Sequence, residues 1–221
     1  MRSDCKRLLS RLLAASLFWV MPFAHGSSPA GLTVLVAGDS LSAEYGIARG
    51  QGWVQLVQDQ LKQDSAFKKT PVNVVNASIS GETTSGGRTR LPALLAQHQP
   101  QFVVIELGAN DALRGLDIRS TRANLEAMVA AAQAAKAKVL LIGMQVPPNY
   151  GRRYTEDFAK AFADVAQAKQ TRLMPFLLKD VADRPDAKEW FQPDGLHPLA
   201  KAHPVVARNV MAELRPLLLG R

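Results

Sequence analysis

The sequence predicts an α/β protein with one three-layer α/β/α domain. Two patterns support this fold class. Short runs of apolar residues alternate along the chain with longer stretches whose apolar residues recur at helical spacing. The runs are apolar throughout rather than every second residue, which is typical of parallel strands buried on both faces. Strands that alternate with helices imply βαβ crossovers and a parallel sheet covered on both sides.

Five strands are predicted, and each is a short run bounded by turn residues or by a helical stretch. Most are rich in valine, isoleucine and leucine, residues that favour a buried strand. No internal repeat, linker or low-complexity tract interrupts the order of elements. The predicted strands are Leu32–Ala37, Val72–Asn76, Phe102–Leu107, Lys138–Gly143 and Arg172–Met174.

The helices between the strands are predicted from apolar residues that fall on one face. The last helix is expected to begin at Pro198, because proline suits the first turn of a helix. The apolar faces are Trp53, Leu56, Val57 and Leu61; Leu91, Leu94 and Leu95 within Gly87–His98; Leu125, Met128, Val129 and Ala132; Phe158, Phe162 and Val165; and Val205, Val206, Val210 and Leu214.

Residues 1–26 are expected to be a cleaved secretory signal peptide, with residues 27–221 forming a single domain. Four basic residues precede an apolar stretch from Leu12 to Phe23, and Ala24-His25-Gly26 places small residues where a signal peptidase cuts. The stretch is too short for the roughly 20 residues of a membrane-spanning helix, and Pro22 interrupts it. We therefore expect a bacterial periplasmic or secreted protein without a stable membrane span.

Charge and cysteine content limit the possible functions. The whole chain has a formal net charge of +8, and beyond residue 26 it has 23 basic and 18 acidic residues, a net charge of +5. These charges are scattered without a basic run among aromatic residues, so no nucleic-acid partner is expected. The single cysteine, Cys5, lies in the predicted signal peptide. The mature chain therefore offers neither a thiol nucleophile nor a thiolate metal site.

Chemically versatile residues follow several of the predicted strands. Gly38-Asp39-Ser40-Leu41-Ser42 follows the first strand, Asn76–Thr83 the second and Gly108-Ala-Asn-Asp111 the third, and Asp194-Gly-Leu-His197-Pro198 lies near the C-terminus. The carboxyl ends of parallel strands share one edge of the sheet, where ligands bind. Each motif alone suits a turn or a helix cap. Their joint placement predicts an active site.

The combination suits acyl transfer. Ser40 is the candidate nucleophile, and His197 is placed to take its proton as general base. Asp194 precedes His197 by three residues and is near enough to accept from its other ring nitrogen. The backbone N–H groups of Ser40 and Gly81 and the side-chain amide of Asn110 are candidate oxyanion donors. Asp39 is expected to hold the loop rather than to react.

The same residues are also compatible with two other functions. A metal-dependent phosphoesterase would use Asp39, Asp111, Asp194 and His197 as ligands, although it would need more histidines on these loops. A periplasmic module that binds an anion or lipid without turnover would use helix N-termini. His98 and His203 are expected to have structural roles. No Gly-x-Ser-x-Gly nucleophile elbow and no Gly-x-Gly-x-x-Gly nucleotide motif follows a strand.

Four short blocks of the sequence resemble those of a known family. Gly38-Asp39-Ser40-Leu41, Gly81, Gly108-x-Asn110-Asp111 and Asp194-x-x-His197 match in order the four blocks of the SGNH (GDSL) hydrolases. Asn76–Thr84, Arg90–Leu95 and Pro148–Tyr154 resemble most closely the periplasmic thioesterase I/lysophospholipase/arylesterase group within that family. The resemblance extends over essentially the whole predicted mature chain.

The resemblance implies a flavodoxin-like sheet, a Ser40/Asp194/His197 triad, an oxyanion hole of Ser40, Gly81 and Asn110, and no metal or cofactor. It implies activity on small acyl esters and thioesters, and we expect a monomer. Residues 113–116 would lie in a mobile loop over the acyl chain. Glu82 and Ala109 depart from the aspartate and glycine common in that group, and Ala109 bears on the preferred chain length.

Overall fold

The computed structural model describes residues 31–146 and 148–220, and in this part of the chain it shows a five-stranded parallel sheet. The strand order is β2-β1-β3-β4-β5. The strands are β1 (Leu32–Gly38), β2 (Val72–Asn76), β3 (Phe102–Glu106), β4 (Lys138–Ile142) and β5 (Arg172–Met174). The predicted α/β class, the number of strands and their parallel direction are confirmed. The predicted signal peptide, residues 1–26, lies outside the described residues.

Helices cover both faces of the sheet. Helices α1 and α6 pack against each other, and α4 packs against both α2 and α5. The apolar faces predicted for these helices point inward, as the burial of Trp53, Leu91, Leu125, Phe158 and Val210 shows. The helices are α1 (Trp53–Gln63), α2 (Thr84–His98), α3 (Ala109–Leu113), α4 (Ile118–Ala134), α5 (Arg152–Ala168) and α6 (His203–Leu218). Among the described residues, no helix combines the length and apolar character needed to cross a membrane.

The prediction that the last helix begins at Pro198 is wrong. Pro198 forms an antiparallel bridge with Phe191, and α6 starts at His203 after a short 3-10 turn. Pro204 supplies the first-turn proline instead. The segment between the two bridged residues forms a tight loop, and this loop contains His197.

Two smaller boundaries also differ from the prediction. Helix α2 begins at Thr84, because the Thr83 side chain caps it by accepting from the Gly86 N–H. Asn110 and Asp111, expected in a turn, lie in the five-residue helix α3. A five-residue helix is too short for apolar residues to recur at helical spacing, so the sequence does not indicate it.

The strand order places a crevice at the carboxyl ends of the central strands. From β1 the chain crosses to β2 on one side, and it then returns to β3 on the other side of β1. Such a reversal separates the loops that follow β1 and β3, which creates the usual ligand site of an open α/β sheet. The loops after β1, β2 and β3 therefore surround one opening.

Candidate active site

The loop after β1 presents Ser40 at the end of a buried strand. Asp39 is buried, and its Oδ1 accepts the N–H of Leu41 at 3.0 Å, which tightens the turn around Ser40. Gly38 is required here because a Cβ at this position would lie 2.7 Å from Ser42 Oγ and 2.8 Å from Glu106 Oε2. The serine hydroxyl is thus held by a closely packed loop.

Asp194 and His197 are joined within one turn. Asp194 Oδ1 accepts the N–H groups of Leu196 at 2.9 Å and His197 at 3.0 Å, and Oδ2 lies 2.7 Å from His197 Nδ1. The N–H of His197, with that of Leu196 and the imidazole, lowers the pKa of Asp194 to about 2. Asp194 is therefore a carboxylate at neutral pH and fixes the orientation of the ring.

The two distant segments meet at the serine. His197 Nε2 lies 2.8 Å from Ser40 Oγ, a contact between residues 157 positions apart in the sequence. The predicted trio of Ser40, Asp194 and His197 therefore lies within hydrogen-bonding distance in a single line. This is the geometry in which an imidazole takes a proton from a hydroxyl while a carboxylate stabilises the resulting cation.

Two residues that sequence reasoning missed help to hold this contact. The Tyr45 ring lies against the His197 imidazole, with centroids 4.4 Å apart and planes tilted by 38°. The Gln192 main-chain N–H donates to the His197 carbonyl at 2.7 Å, and its side-chain amide donates to the Tyr45 carbonyl at 2.8 Å. Gln192 thus ties the histidine loop to the serine loop. No local pattern in the sequence marks either residue.

The predicted oxyanion donors come from three segments: Ser40 from the serine loop itself, Gly81 from the loop after β2 and Asn110 from helix α3. Gly81 has φ +79°, a conformation that favours glycine. A Cβ at this position would fit without a clash, so backbone conformation and not space favours glycine here. Within the described residues the N–H groups of Ser40 and Gly81 donate to no protein acceptor. Asn110 Nδ2 lies 3.0 Å from both Asp39 Oδ2 and the Glu82 carbonyl.

The four side chains considered as metal ligands do not lie close together. Asp111 is turned toward the start of α2, where its oxygens accept the Thr84 N–H at 2.8 Å and the Thr84 hydroxyl. Asp39 faces Leu41 and Asn110, and only Asp194 contacts His197. In residues 31–146 and 148–220, no three histidine, cysteine or acidic side chains are placed to hold a metal ion together.

The other histidines, and two further serines near the site, take no part in the contacts between Ser40, His197 and Asp194. His203 is buried at the start of α6, where its Nδ1 accepts the Trp53 N–H at 3.1 Å and burial lowers its pKa. His98 is the last residue of α2. Ser42 donates to Glu106, and Ser78 Oγ is buried without a partner. The structural role expected for His203 is confirmed by its contact.

Comparison with known proteins identifies the family. The model of the GDSL-like lipase/acylhydrolase family matches residues 36–205, more than half of the chain. The chain belongs to this family. The family match extends from the serine loop to the start of α6, so it contains all five predicted site residues. The resemblance found in the sequence is thereby confirmed.

Curated relatives of this GDSL-like hydrolase are bacterial enzymes. Esterase TesA of Pseudomonas aeruginosa is 47% identical over 189 residues, 86% of this chain and 90% of that protein. The arylesterase of Vibrio mimicus is 42% identical over 204 residues, 92% and 97% of the two chains. Thioesterase 1/protease 1/lysophospholipase L1 of Escherichia coli K12 is 38% identical over 205 residues, 90% and 94%.

Solved structures show the same fold for this GDSL-like hydrolase. A crystal structure of TesA superposes with a TM-score of 0.77 at 48% identity, over 84% of this chain and 99% of that one. The psychrotrophic esterase EstA from Pseudoalteromonas, in a structure inhibited by monoethylphosphonate, also gives 0.77, at 40% identity over 84% and 98%. The family and its named relatives make this chain an enzyme, an ester hydrolase.

Proposed function

We propose that the chain is a serine esterase that works through an acyl-enzyme on Ser40, with His197 as general base and Asp194 as its orienting carboxylate. The observation that supports this most directly is the unbroken line of contacts from Asp194 Oδ2 to His197 Nδ1, 2.7 Å, and from His197 Nε2 to Ser40 Oγ, 2.8 Å. A serine hydroxyl is a weak nucleophile unless such a base takes its proton.

The proposed reaction has two halves. Ser40 Oγ attacks the carbonyl carbon while its proton moves to His197 Nε2, and the imidazolium then gives that proton to the leaving alkoxide or thiolate as the acyl bond breaks. Water next attacks the Ser40 acyl ester and loses a proton to His197, and the imidazolium returns that proton to Ser40 Oγ as the acid leaves and the free serine is restored. Asp194 stabilises the imidazolium in both halves.

The oxyanion of each tetrahedral intermediate would be bound by the N–H groups of Ser40 and Gly81 and by the Asn110 amide. The two backbone donors are free of protein acceptors within the described residues. The amide has two hydrogens, and two oxygens already lie 3.0 Å from its nitrogen. Donation to the oxyanion therefore requires Asn110 to exchange one of these contacts. A single such donor contributes about 3 kcal/mol to transition-state stabilisation.

The opening suits an apolar acyl group. The large apolar side chains that are exposed in the described part all lie in loops or short helices that follow the carboxyl ends of the strands. They are Tyr45, Ile79, Leu113, Leu116, Tyr150 and Leu196. Surfaces of this kind are typical of sites that bind apolar ligands. We propose carboxylic esters and thioesters, acyl-CoA among them, as substrates. The names arylesterase and thioesterase 1/protease 1/lysophospholipase L1 of two relatives support esters, thioesters and lysophospholipids.

The proposal is tested by mixing the purified protein with p-nitrophenyl butyrate and p-nitrophenyl palmitate. We expect a stoichiometric burst of p-nitrophenolate when acylation is faster than deacylation, and an acyl adduct on the peptide that contains Ser40. The same assay with EDTA serves as control and should be unchanged. Loss of activity with EDTA alone would favour the metal-dependent phosphoesterase, and no turnover or adduct would favour a binding module.

The rate is expected to rise with pH, because only a neutral imidazole can act as a general base. Asp194, whose pKa is about 2, keeps its charge throughout this range and does not produce the rise. The measurement is kcat/KM from about pH 5 to about pH 9. A flat profile would contradict the role assigned to His197.

We also propose that residues 1–26 direct export to the periplasm or medium and are removed, and that the mature enzyme is a monomer that needs no metal or cofactor. The basic and apolar pattern of these residues supports export. N-terminal sequencing of the exported protein and its mass in solution test these points.

A further inference from the structure

A buried carboxyl group lies directly behind the serine loop. Glu106 is the last residue of β3, and its side chain is completely buried. Its Oε2 accepts the Ser42 hydroxyl at 2.6 Å and the Asp39 main-chain N–H at 3.3 Å. These two donors flank Ser40 on either side in the sequence. The mechanism proposed above does not use Glu106.

Resting on that proposed function, we propose that Glu106 is a positioning residue for the nucleophile. By accepting from Ser42 and Asp39 it fixes the loop between them, so that Ser40 Oγ keeps its 2.8 Å contact with His197 Nε2. The role requires an acceptor oxygen at this place and does not require a negative charge.

The packing leaves the loop little room to adjust. Gly38 pairs with Glu106 across β1 and β3, and a Cβ on Gly38 would collide with both Glu106 Oε2 and Ser42 Oγ. Removal of the carboxyl group would open a space under the loop and free the Ser42 hydroxyl and the Asp39 N–H. A misplacement of about 1 Å in reacting groups can cost about 100-fold in rate.

Asp39 extends the same network to the proposed oxyanion hole. Its N–H contacts Glu106, its Oδ1 accepts from Leu41, and its Oδ2 lies 3.0 Å from Asn110 Nδ2. A change in Glu106 therefore reaches both the nucleophile and one of the proposed oxyanion donors. Both act on the reacting carbonyl, so the expected effect is on kcat rather than on KM.

The surroundings of Glu106 disfavour its charged form. Burial and the neighbouring Asp39 carboxyl raise the pKa of Glu106 well above its usual range, and burial raises the pKa of Asp39 to about 6. His197 and Asp111 act electrostatically on Asp39. On the adjacent strand β4, Lys138 lies at the opposite end. A neutral side chain with an acceptor oxygen therefore fits this position.

The test compares Glu106→Gln, which keeps an acceptor oxygen, with Glu106→Ala, which removes it. With p-nitrophenyl butyrate we expect Glu106→Ala to lower kcat by about 10- to 100-fold at nearly unchanged KM, and Glu106→Gln to stay within about threefold of the wild type. Val103→Ala, a buried truncation on the same strand, controls for general destabilisation and should retain kcat. Wild-type kcat in Glu106→Ala, or equal losses in both Glu106 variants, would overturn the proposal.

Two further measurements keep the test decisive if Glu106→Ala does not fold. Ser42→Ala should lower kcat severalfold, and combining it with Glu106→Leu, which fills the space but offers no acceptor, should give less than the product of the two single effects. Because the folded-state pKa of Glu106 is raised, its contribution to stability is complete below its unfolded pKa and is lost as pH rises through the folded value. Glu106→Gln should therefore raise Tm relative to wild type more at pH 8 than at pH 5. Multiplicative losses in the Ser42→Ala/Glu106→Leu double variant would contradict the positioning role, and a Tm difference that does not depend on pH would contradict a neutral Glu106.

The outcome is separable from that of the proposed function. If the wild type turns over no ester, or Ser40→Ala does not reduce turnover, the esterase mechanism fails. If the wild type is active, Ser40→Ala is inactive and Glu106→Ala equals the wild type, only the positioning role of Glu106 fails.

Discussion

Replacing Ser40 with alanine is expected to lower kcat for p-nitrophenyl butyrate by about 10⁶-fold, the scale of losing the nucleophile in a serine hydrolase. Alanine removes the proposed nucleophilic atom while leaving the backbone N–H in place for the proposed oxyanion hole. KM should change little, because the hydroxyl contributes mainly in the transition state. The residual rate over water reflects the remaining donors and substrate binding.

Ser80→Ala is the matched control for Ser40→Ala. Ser80 is exposed on the neighbouring loop after β2, one residue before Gly81. Its hydroxyl lies outside the line from Asp194 to Ser40, so kcat should stay within about twofold, as for most exposed substitutions. A Ser40→Ala enzyme with more than about 1% of wild-type kcat would rule out Ser40 as the nucleophile, given the expected scale.

Replacing His197 with alanine is expected to lower kcat by a similar factor, about 10⁶-fold. Without the imidazole, Ser40 Oγ loses its contact with the proposed base, and a neutral hydroxyl is a poor nucleophile at neutral pH. The rate that remains should lose the pH dependence of the wild type. Both quantities come from kcat/KM measured across the pH range.

The double variant Ser40→Ala/His197→Ala provides the sharper measurement. Residues that act as one unit give strongly non-additive losses, so the double variant should be about as slow as either single variant. His98→Ala is the control, since His98 ends α2 shortly before the amino end of β3, at the sheet edge opposite the site loops. A multiplicative loss in the double variant would mean that the serine and the histidine act independently.

The architecture was predictable because each strand carries its own signal. Runs such as Phe102–Glu106 are apolar except at their ends and are too short for a helix, so their identity does not depend on distant partners. Glu106 is itself informative in retrospect, because an acidic residue that closes a buried strand must find a donor. What the run does not show is which donors are near, since Ser42 and Asp39 come from another loop.

Boundaries and short elements were predicted less well. Pro198 satisfies the local rule for a helix start, yet its bridge to Phe191 takes precedence because it completes backbone pairing in the histidine loop. Helix α3 has only five residues, and its formation depends on Asp111 contacting Thr84 and Thr121 rather than on its own periodicity. These contacts are tertiary, so local propensity does not reveal them.

The α/β class, the five strands and the segments that carry the site residues could be read from local patterns, because each depends on residues that are neighbours in the chain. The site residues on those segments are Ser40, Gly81, Asn110, Asp194 and His197. The packed fold was needed to show that the His197 imidazole lies 2.8 Å from a hydroxyl 157 residues away and that Tyr45 and Gln192 hold it there. The contacts of Asn110 with Asp39 and Glu82 likewise appear only in the fold. Those facts follow from strand order and side-chain direction, which arise from packing between elements and not from any local pattern.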